Sequence, residues 1–160
     1  MLNLSEINSA VQETFLRELK VTSDAIKANM QKNNQVASGE TLLSIREDFQ
    51  GDTGSIYGFD HIDTLETGIS PQRSQATSWR ESYAGMVRWY QNKHGYSAQG
   101  NNDRLVSSAV HKQRTMGSVM WRNGITKNVY SQEVEPLVRR ISDAIGEKIV
   151  NIKILGNDTK

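Results

Sequence analysis

Apolar residues return at steps of mostly four along the first part of the chain, and this spacing predicts one long amphipathic helix over about 5–33. Ser5 stands as its N-cap, and Ile7, Val11, Phe15, Leu19, Ile26 and Met30 form the stripe, with Thr22 filling the gap. The Gln/Lys/Asn run at 31–35 ends the helix, and Ser38-Gly39 makes the turn. From Thr41 the period changes to two. Leu43, Ile45 and Phe49 alternate with Leu42, Ser44, Arg46 and Asp48, which predicts a strand, with a helical turn over 40–45 as the other way to begin it. Gly51-Asp52-Thr53-Gly54 is turn chemistry, and Ser55 to Phe59 and His61 to Thr67 read as two further short strands. Strands are thus expected over about 41–67, followed by a loop from Gly68 to Thr77 with Pro71 in its middle.

The helical period returns at Trp79. Ser78 and Glu81 have capping-box spacing, in which the serine accepts from the N3 amide and the glutamate reaches back to the N-cap amide. Trp79, Tyr83, Met86/Val87 and Tyr90 recur on one face, and Gly95 supplies the left-handed C-cap of a helix over about 79–94. After the polar connector 97–102, a second helix over about 103–123 carries Leu105, Val106, Ala109, Val110, Met116, Val119 and Met120. It stops at Asn123-Gly124. A link from Ile125 to Tyr130 leads to a third helix over about 132–146. That helix points Leu137, Val138, Ile141 and Ile145 inward, has Gly146 as its cap, and tolerates Pro136 only in its first turn. Val150, Ile152 and Ile154 alternate with polar neighbours, predicting a final strand over about 148–155. The expected fold class is α+β: one domain over 1–160, with a small, mainly antiparallel sheet packed against the long N-terminal helix and further helices.

Charge changes this picture more than composition does. The net charge of +1 conceals a segregation: residues 72–127 hold nine Lys/Arg against two acidic residues, net +7, and the rest of the chain is net −6. A basic middle suits contact with phosphate or with an acidic protein. No apolar run approaches the roughly 20 residues of a membrane span, and the N-terminus lacks the order of a signal peptide. With no cysteine there is neither a disulfide framework nor a thiolate metal site, so the chain is compatible with a reducing cytosol.

Few residues carry catalytic signatures. Asp52-Thr53-Gly54-Ser55 resembles the catalytic tetrapeptide of aspartic proteases, in which two such aspartates share a proton and activate water. This chain holds one, so a dimer would be required, and Gln50-Gly51 stands where that family has an apolar pair. The same four residues also suit a hairpin turn. Gly95-Tyr96-Ser97 opens like a nucleophile elbow, but Gln99 breaks the motif. His61, His94 and His111 have no mutual metal-ligand spacing. Trp79, Tyr83, Trp89, Tyr90, Tyr96 and Trp121 lie among Arg80, Arg88, Lys93 and Arg122, a mixture able to stack on bases and hold phosphates. Helical spacing also explains several of these aromatics as core. The expectation is a non-enzyme with no catalytic, metal or cofactor site; a nucleic-acid-binding regulator is the alternative and a small aspartic-type protease the remote one.

The segment from Tyr57 through Leu65-Glu66-Thr67-Gly68 to Pro71 resembles a stretch of the neck, head–tail joining and tail-completion proteins of tailed bacteriophages. Val87 to Gly95, with Trp89 and the turn Lys93-His94-Gly95, is similar to the helix that follows there. Arg122-Asn123-Gly124-Ile125 looks like that family's close of the long helix. Ile69 after Gly68 and the link 126–130 depart from its pattern. The resemblance implies a ring-forming virion protein of the neck or tail region, assembled in the host cytoplasm. Its implied partners are further copies of itself and adjacent portal, adaptor or tail proteins, with passive DNA contact in the channel and no membrane. A ring needs two unlike side surfaces. Glu66, Gly68, Pro71, Arg73, Arg80 and Arg88 are the expected subunit-interface residues, Glu66 as a backbone-anchoring or intersubunit acid and Gly68 as a turn only glycine fits.

Overall fold

A computed structural model describes residues 4–50, 53–59, 62–96 and 101–157. Helix α1 (Leu4–Lys32) runs the length of the domain. It is followed by α2 (Glu40–Ser44), the hairpin β1 (Arg46–Gln50) and β2 (Thr53–Tyr57), α3 (Ile62–Thr67) and α4 (Pro71–Gln75). The remainder is α5 (Trp79–His94), α6 (Asn101–Met116), α7 (Val119–Arg122) and α8 (Ser131–Asn157). The class is α+β, mostly helical, with one small antiparallel sheet and the long first helix packed against other helices.

Helix α1 organises one half. Its stripe delivers Leu19, Ile26 and Met30 inward, and Met30 is fully buried, a contribution of about 1.5–3 kcal/mol. Ile26 and Met30 join Ile45 and Val129 in the core, with Ile56, Ile62 and Leu65 packed around them. The β-hairpin lies across the same helix, Phe15 against Phe49 with ring centroids 5.2 Å apart. Helix α8 packs antiparallel along α1: Asn29 meets Glu133 near one end, and Arg140 donates to Glu18 at 3.0 Å and to Thr22 at 2.7 Å further along. Thr22, the gap in the apolar stripe, is where that guanidinium enters. The other half is α4, α5 and α6, which pack chiefly on one another. The capping box at Ser78/Glu81 and the left-handed Gly95 are present as the sequence predicts.

Several predicted strands are helices. Residues 41–44 belong to α2, launched from left-handed Gly39 with Ser38 Oγ accepting the Glu40 N–H; the strand begins only at Arg46. The second strand is displaced to Thr53–Tyr57, paired Arg46↔Tyr57 through Gln50↔Thr53. His61 lies outside the described residues, and 62–67 form α3, because Ile62 and Leu65 reach the core at a three-residue step and Glu66 follows them inside. The predicted loop 68–77 contains α4, capped by Ser70 with Pro71 at its start. The predicted helix 103–123 breaks at Gly117-Ser118 into α6 and α7. The predicted C-terminal strand 148–155 is a continuation of α8, so Gly146 is interior rather than a cap and Pro136 sits beyond the first turn. In sequence, Ile141, Ile145, Ile149 and Ile152 keep helical steps. Of the connector 97–102, residues 97–100 lie outside the described residues, and 101–102 begin α6.

Candidate functional site

Glu66 is 2% exposed, an acid buried at the end of α3. Its carboxylate accepts from the Val129 and Tyr130 amides and from the Ser131 hydroxyl, just ahead of the α8 N-terminus. Its carbonyl accepts the Lys127 amide at 2.8 Å. From the opposite side Asn29 donates to the Val129 carbonyl at 3.2 Å and Asn33 to the Lys127 carbonyl at 2.8 Å. The link 126–130 is therefore fastened on both flanks. A buried charge is tolerable here because every donor it meets is aimed at it and the adjacent helix dipole favours an anion.

Tyr130 completes this knot by donating to Asp63 Oδ1 at 3.2 Å. Burial, then the hydrogen bond to Asp63, hold the Tyr130 phenol above its ordinary value of 10.0. A raised acid favours the neutral phenol in the folded state, so its stabilisation is whole below about pH 10 and is lost as pH rises through the folded value. Tyr130→Phe should therefore be less stable than wild type near neutrality, with the gap closing above pH 10. Urea midpoints of both proteins from about pH 8 to 11 check this; a constant gap would remove the phenol from the account.

A second joint ties α3–α4 to α6–α7. The Ser118 amide donates to the Ile69 carbonyl at 2.9 Å, and the Ser118 hydroxyl accepts from the amides of Ile69 at 3.1 Å and Trp121 at 3.2 Å. Gly68, at φ +83°, lies against this turn: a β-carbon there would collide with Ser118 Oγ and stand 2.8 Å from the Trp121 nitrogen. Arg114 clamps the same region, donating to the carbonyls of Ser74 (3.0 Å) and Thr77, while Gln75 donates to the Arg114 carbonyl at 2.7 Å. Arg114→Met should cost about 1–3 kcal/mol in urea unfolding, chiefly because it strips the donor from the carbonyl of buried Ser74; an unchanged midpoint would deny the clamp.

These joints hold open a groove. A hollow of about 680 Å³ lies among α4, α5, α6 and α7, with Met86, Trp89, Ala109 and Val119 among its lining. Gly85 and Trp89 also line a second hollow of about 480 Å³, which runs on towards α2 and Phe59. Glu40 and Phe59 in turn line a third, beside Leu43 and Tyr57. The first two meet along α5 at Gly85 and Trp89, forming one groove, and the third adjoins the second at Glu40 and Phe59. Arg88, Lys112 and Arg122 stand on it exposed and form no ion pair among the described residues. At the end of α5 the rings of Trp89, Tyr90, His94 and Tyr96 stack or meet edge-on within 6.1 Å.

The structure divides the predicted interface residues. Glu66 anchors backbone within its own chain, and Gly68 is buried in the second joint, so neither offers surface to a neighbour. Pro71 opens α4, Arg73 is exposed 3.9 Å from Asp63, Arg80 is exposed in the first turn of α5, and Arg88 lines the groove. Asp52 and Ser97 lie outside the described residues; Thr53, Gly54 and Ser55 are strand residues, Gly54 close against Leu19 and Phe15 of α1. His94 belongs to the aromatic cluster and His111 is exposed on α6. No group of His, Asp or Glu suited to a metal occurs among the described residues, and no helix among them is long and apolar enough to cross a membrane. Ser118 and Arg114 were not singled out from sequence. Gly117-Ser118 ahead of Val119 is an N-cap signal that was available, whereas Arg114 was one base among many. Comparison with protein-family models, characterised proteins and solved structures finds no match to this chain.

Proposed function

We propose that this chain is a non-enzymatic structural protein of a tailed phage, a ring-forming subunit of the head–tail connector or tail-completion apparatus. The observation that carries the reading is the groove: an apolar hollow whose basic rim forms no ion pair among the described residues, held between two hydrogen-bonded joints. Large apolar side chains around it stay uncovered in a single chain, Trp79, Trp89, Trp121 and Val119 among them. Such a surface suits a protein that completes its burial against neighbours. The motif resemblance around Glu66-Thr67-Gly68 and Pro71 supplies the biological setting.

Native mass spectrometry across protein and salt concentration tests it. Closed assemblies of one defined size are expected, and a strict monomer at the highest soluble concentration overturns the reading. The ring cluster at the end of α5, beside exposed Arg88, favours a second reading, a nucleic-acid-binding regulator. That reading requires DNA or RNA affinity that falls steeply with salt in a protein that forms no closed assembly.

A further inference from the structure

Gly85 and Trp89 line both of the larger hollows, so the groove passes along α5 over a floor that has no side chain at Gly85. A β-carbon there would meet nothing within 4 Å. The larger hollow is floored by the aliphatic side chains of Ile69, Met86, Ala109 and Val119, and Trp89 is its one aromatic among the described residues. Such a floor suits aliphatic side chains better than bases, which stack on flat aromatic faces. It also offers little to unpaired N–H and C=O groups, so the segment that fits is one that satisfies its own backbone, a helix.

The charge beside this floor has one sign. Among the described residues no Asp or Glu lines the larger hollow, whereas Lys112 and Arg122 do, and Arg88 stands on the second. None of these three forms an ion pair or a side-chain hydrogen bond among the described residues. Other bases of this half are engaged within the chain, Arg114 on the Ser74 and Thr77 carbonyls and Lys93 on Asn34 and the Val36 carbonyl. The two acids of the basic segment 72–127 are engaged as well. Glu81 accepts from Ser78 in the α5 capping box, and Asp103 accepts the Tyr83 hydroxyl. Glu40 is the one acid that lines the second hollow, and it lies away from Lys112 and Arg122, on α2. Groove against groove would set the bases against their own copies, which disfavours a symmetric pairing. The complement of this surface is an apolar ridge with carboxylates on its flanks.

We infer that the groove along α5 docks an acidic amphipathic helix of another protein, its aliphatic side chains on the floor and its carboxylates against Arg88, Lys112 and Arg122. The inference rests on the connector reading for the existence of a neighbouring protein, and it adds the chemistry by which that neighbour is held.

Fluorescence anisotropy of a fluorescein-labelled peptide tests it on the full-length chain. The probe is about 16 residues long, the length of α5, with Leu at i, i+3, i+4 and i+7 and Glu on both flanks. It should bind at least about tenfold more tightly than the same peptide with Lys for Glu, and than polyglutamate of equal charge. Gly85→Leu fills the floor and should weaken binding about tenfold or more at unchanged circular dichroism, because that position faces open space. Lys112→Glu combined with Arg122→Glu should turn the preference to the Lys peptide, an exchange that a merely damaged groove would not give. Equal binding of both peptides, polyglutamate binding as well as the amphipathic probe, or binding unchanged in Gly85→Leu overturns the inference. So does a single-stranded oligonucleotide that binds more tightly than the peptide and is lost in Gly85→Leu. If Gly85→Leu dissolves the wild-type assembly in native mass spectrometry, a second copy closes the groove and the partner helix is overturned. Rings that bind no acidic peptide overturn the inference and leave the connector reading standing; a strict monomer that binds it does the reverse.

Discussion

Replacing Glu66 with alanine should cost the fold about 3–5 kcal/mol, read as a lowered urea midpoint at unchanged slope. The carboxylate gathers two backbone amides and a hydroxyl, and its removal leaves those donors facing an apolar gap. A buried donor without a partner costs about 1–3 kcal/mol, and water has poor access where Glu66 is 2% exposed and Val129 fully buried. Against the usual 5–15 kcal/mol of a domain, that is a large fraction. Glu66→Gln keeps one acceptor oxygen and the shape but turns an NH2 towards a donor, so it should recover only part of the loss. The damage should concentrate at the link 126–130, with faster hydrogen exchange at the Lys127 and Val129 amides. A loss below about 1 kcal/mol in the alanine variant would mean that Asn29 and Asn33 alone hold the link.

The motif Leu65-Glu66-Thr67-Gly68 pointed to Glu66 as a backbone-anchoring or intersubunit acid, but not to which donors it serves. Those donors lie more than sixty residues away, and no local spacing encodes such a pairing. The elements read well where local chemistry decides them: the α1 stripe, the Ser78/Glu81 box and the Gly95 cap are all set within one or two turns. The errors fall where tertiary contacts override propensity. Residues 61–67 are rich in β-favouring Ile and Thr, yet α3 forms because Ile62 and Leu65 must both reach the cluster around Met30. The end of α8 alternates like a strand, but Ile141, Ile145, Ile149 and Ile152 also keep helical steps, and the helix already formed at Ser131 carries on through them.

The groove was the least legible feature. Its walls are assembled from α2 and α4–α7, and of the aromatics that helical spacing explains as core, Tyr83 and Tyr90 are only half-buried and Trp79 stays exposed. Helical periodicity reports that a face is apolar, not whether the chain itself covers it. Here α5 contributes no buried residue, and the buried apolar residues described in its half, Val106 and Val110, lie on α6. The basic segregation of 72–127 was the visible trace of this, because it marks the half of the domain that α1 and α8 do not cover.

Gly68→Ala should cost about 3 kcal/mol or more, whereas Gly95→Ala should cost only about 1 kcal/mol. Both residues have positive φ, +83° and +68°, so both substitutions incur the left-handed penalty. Only at Gly68 does the added carbon also meet other atoms: it collides with Ser118 Oγ and stands 2.8 Å from the Trp121 nitrogen and 3.0 Å from Met120 Cβ. Nothing lies within 4 Å of the same carbon at Gly95. The neighbours at Gly68 are not free to yield. Ser118 Oγ is pinned by the Ile69 and Trp121 amides, and Trp121 belongs to the turn that α7 builds on that serine. Relief therefore requires α7 to move away from the α3–α4 corner, breaking the Ser118 to Ile69 bond and shifting one wall of the groove. Thermal unfolding of the two variants side by side separates strain in the backbone from strain in the joint. Equal losses at both positions would show that the α3–α7 contact is loose enough to absorb a methyl, and that the groove is not held as rigidly as its hydrogen bonds imply. A Gly68→Ala protein that keeps its fold but no longer assembles would instead locate the damage in the displaced wall.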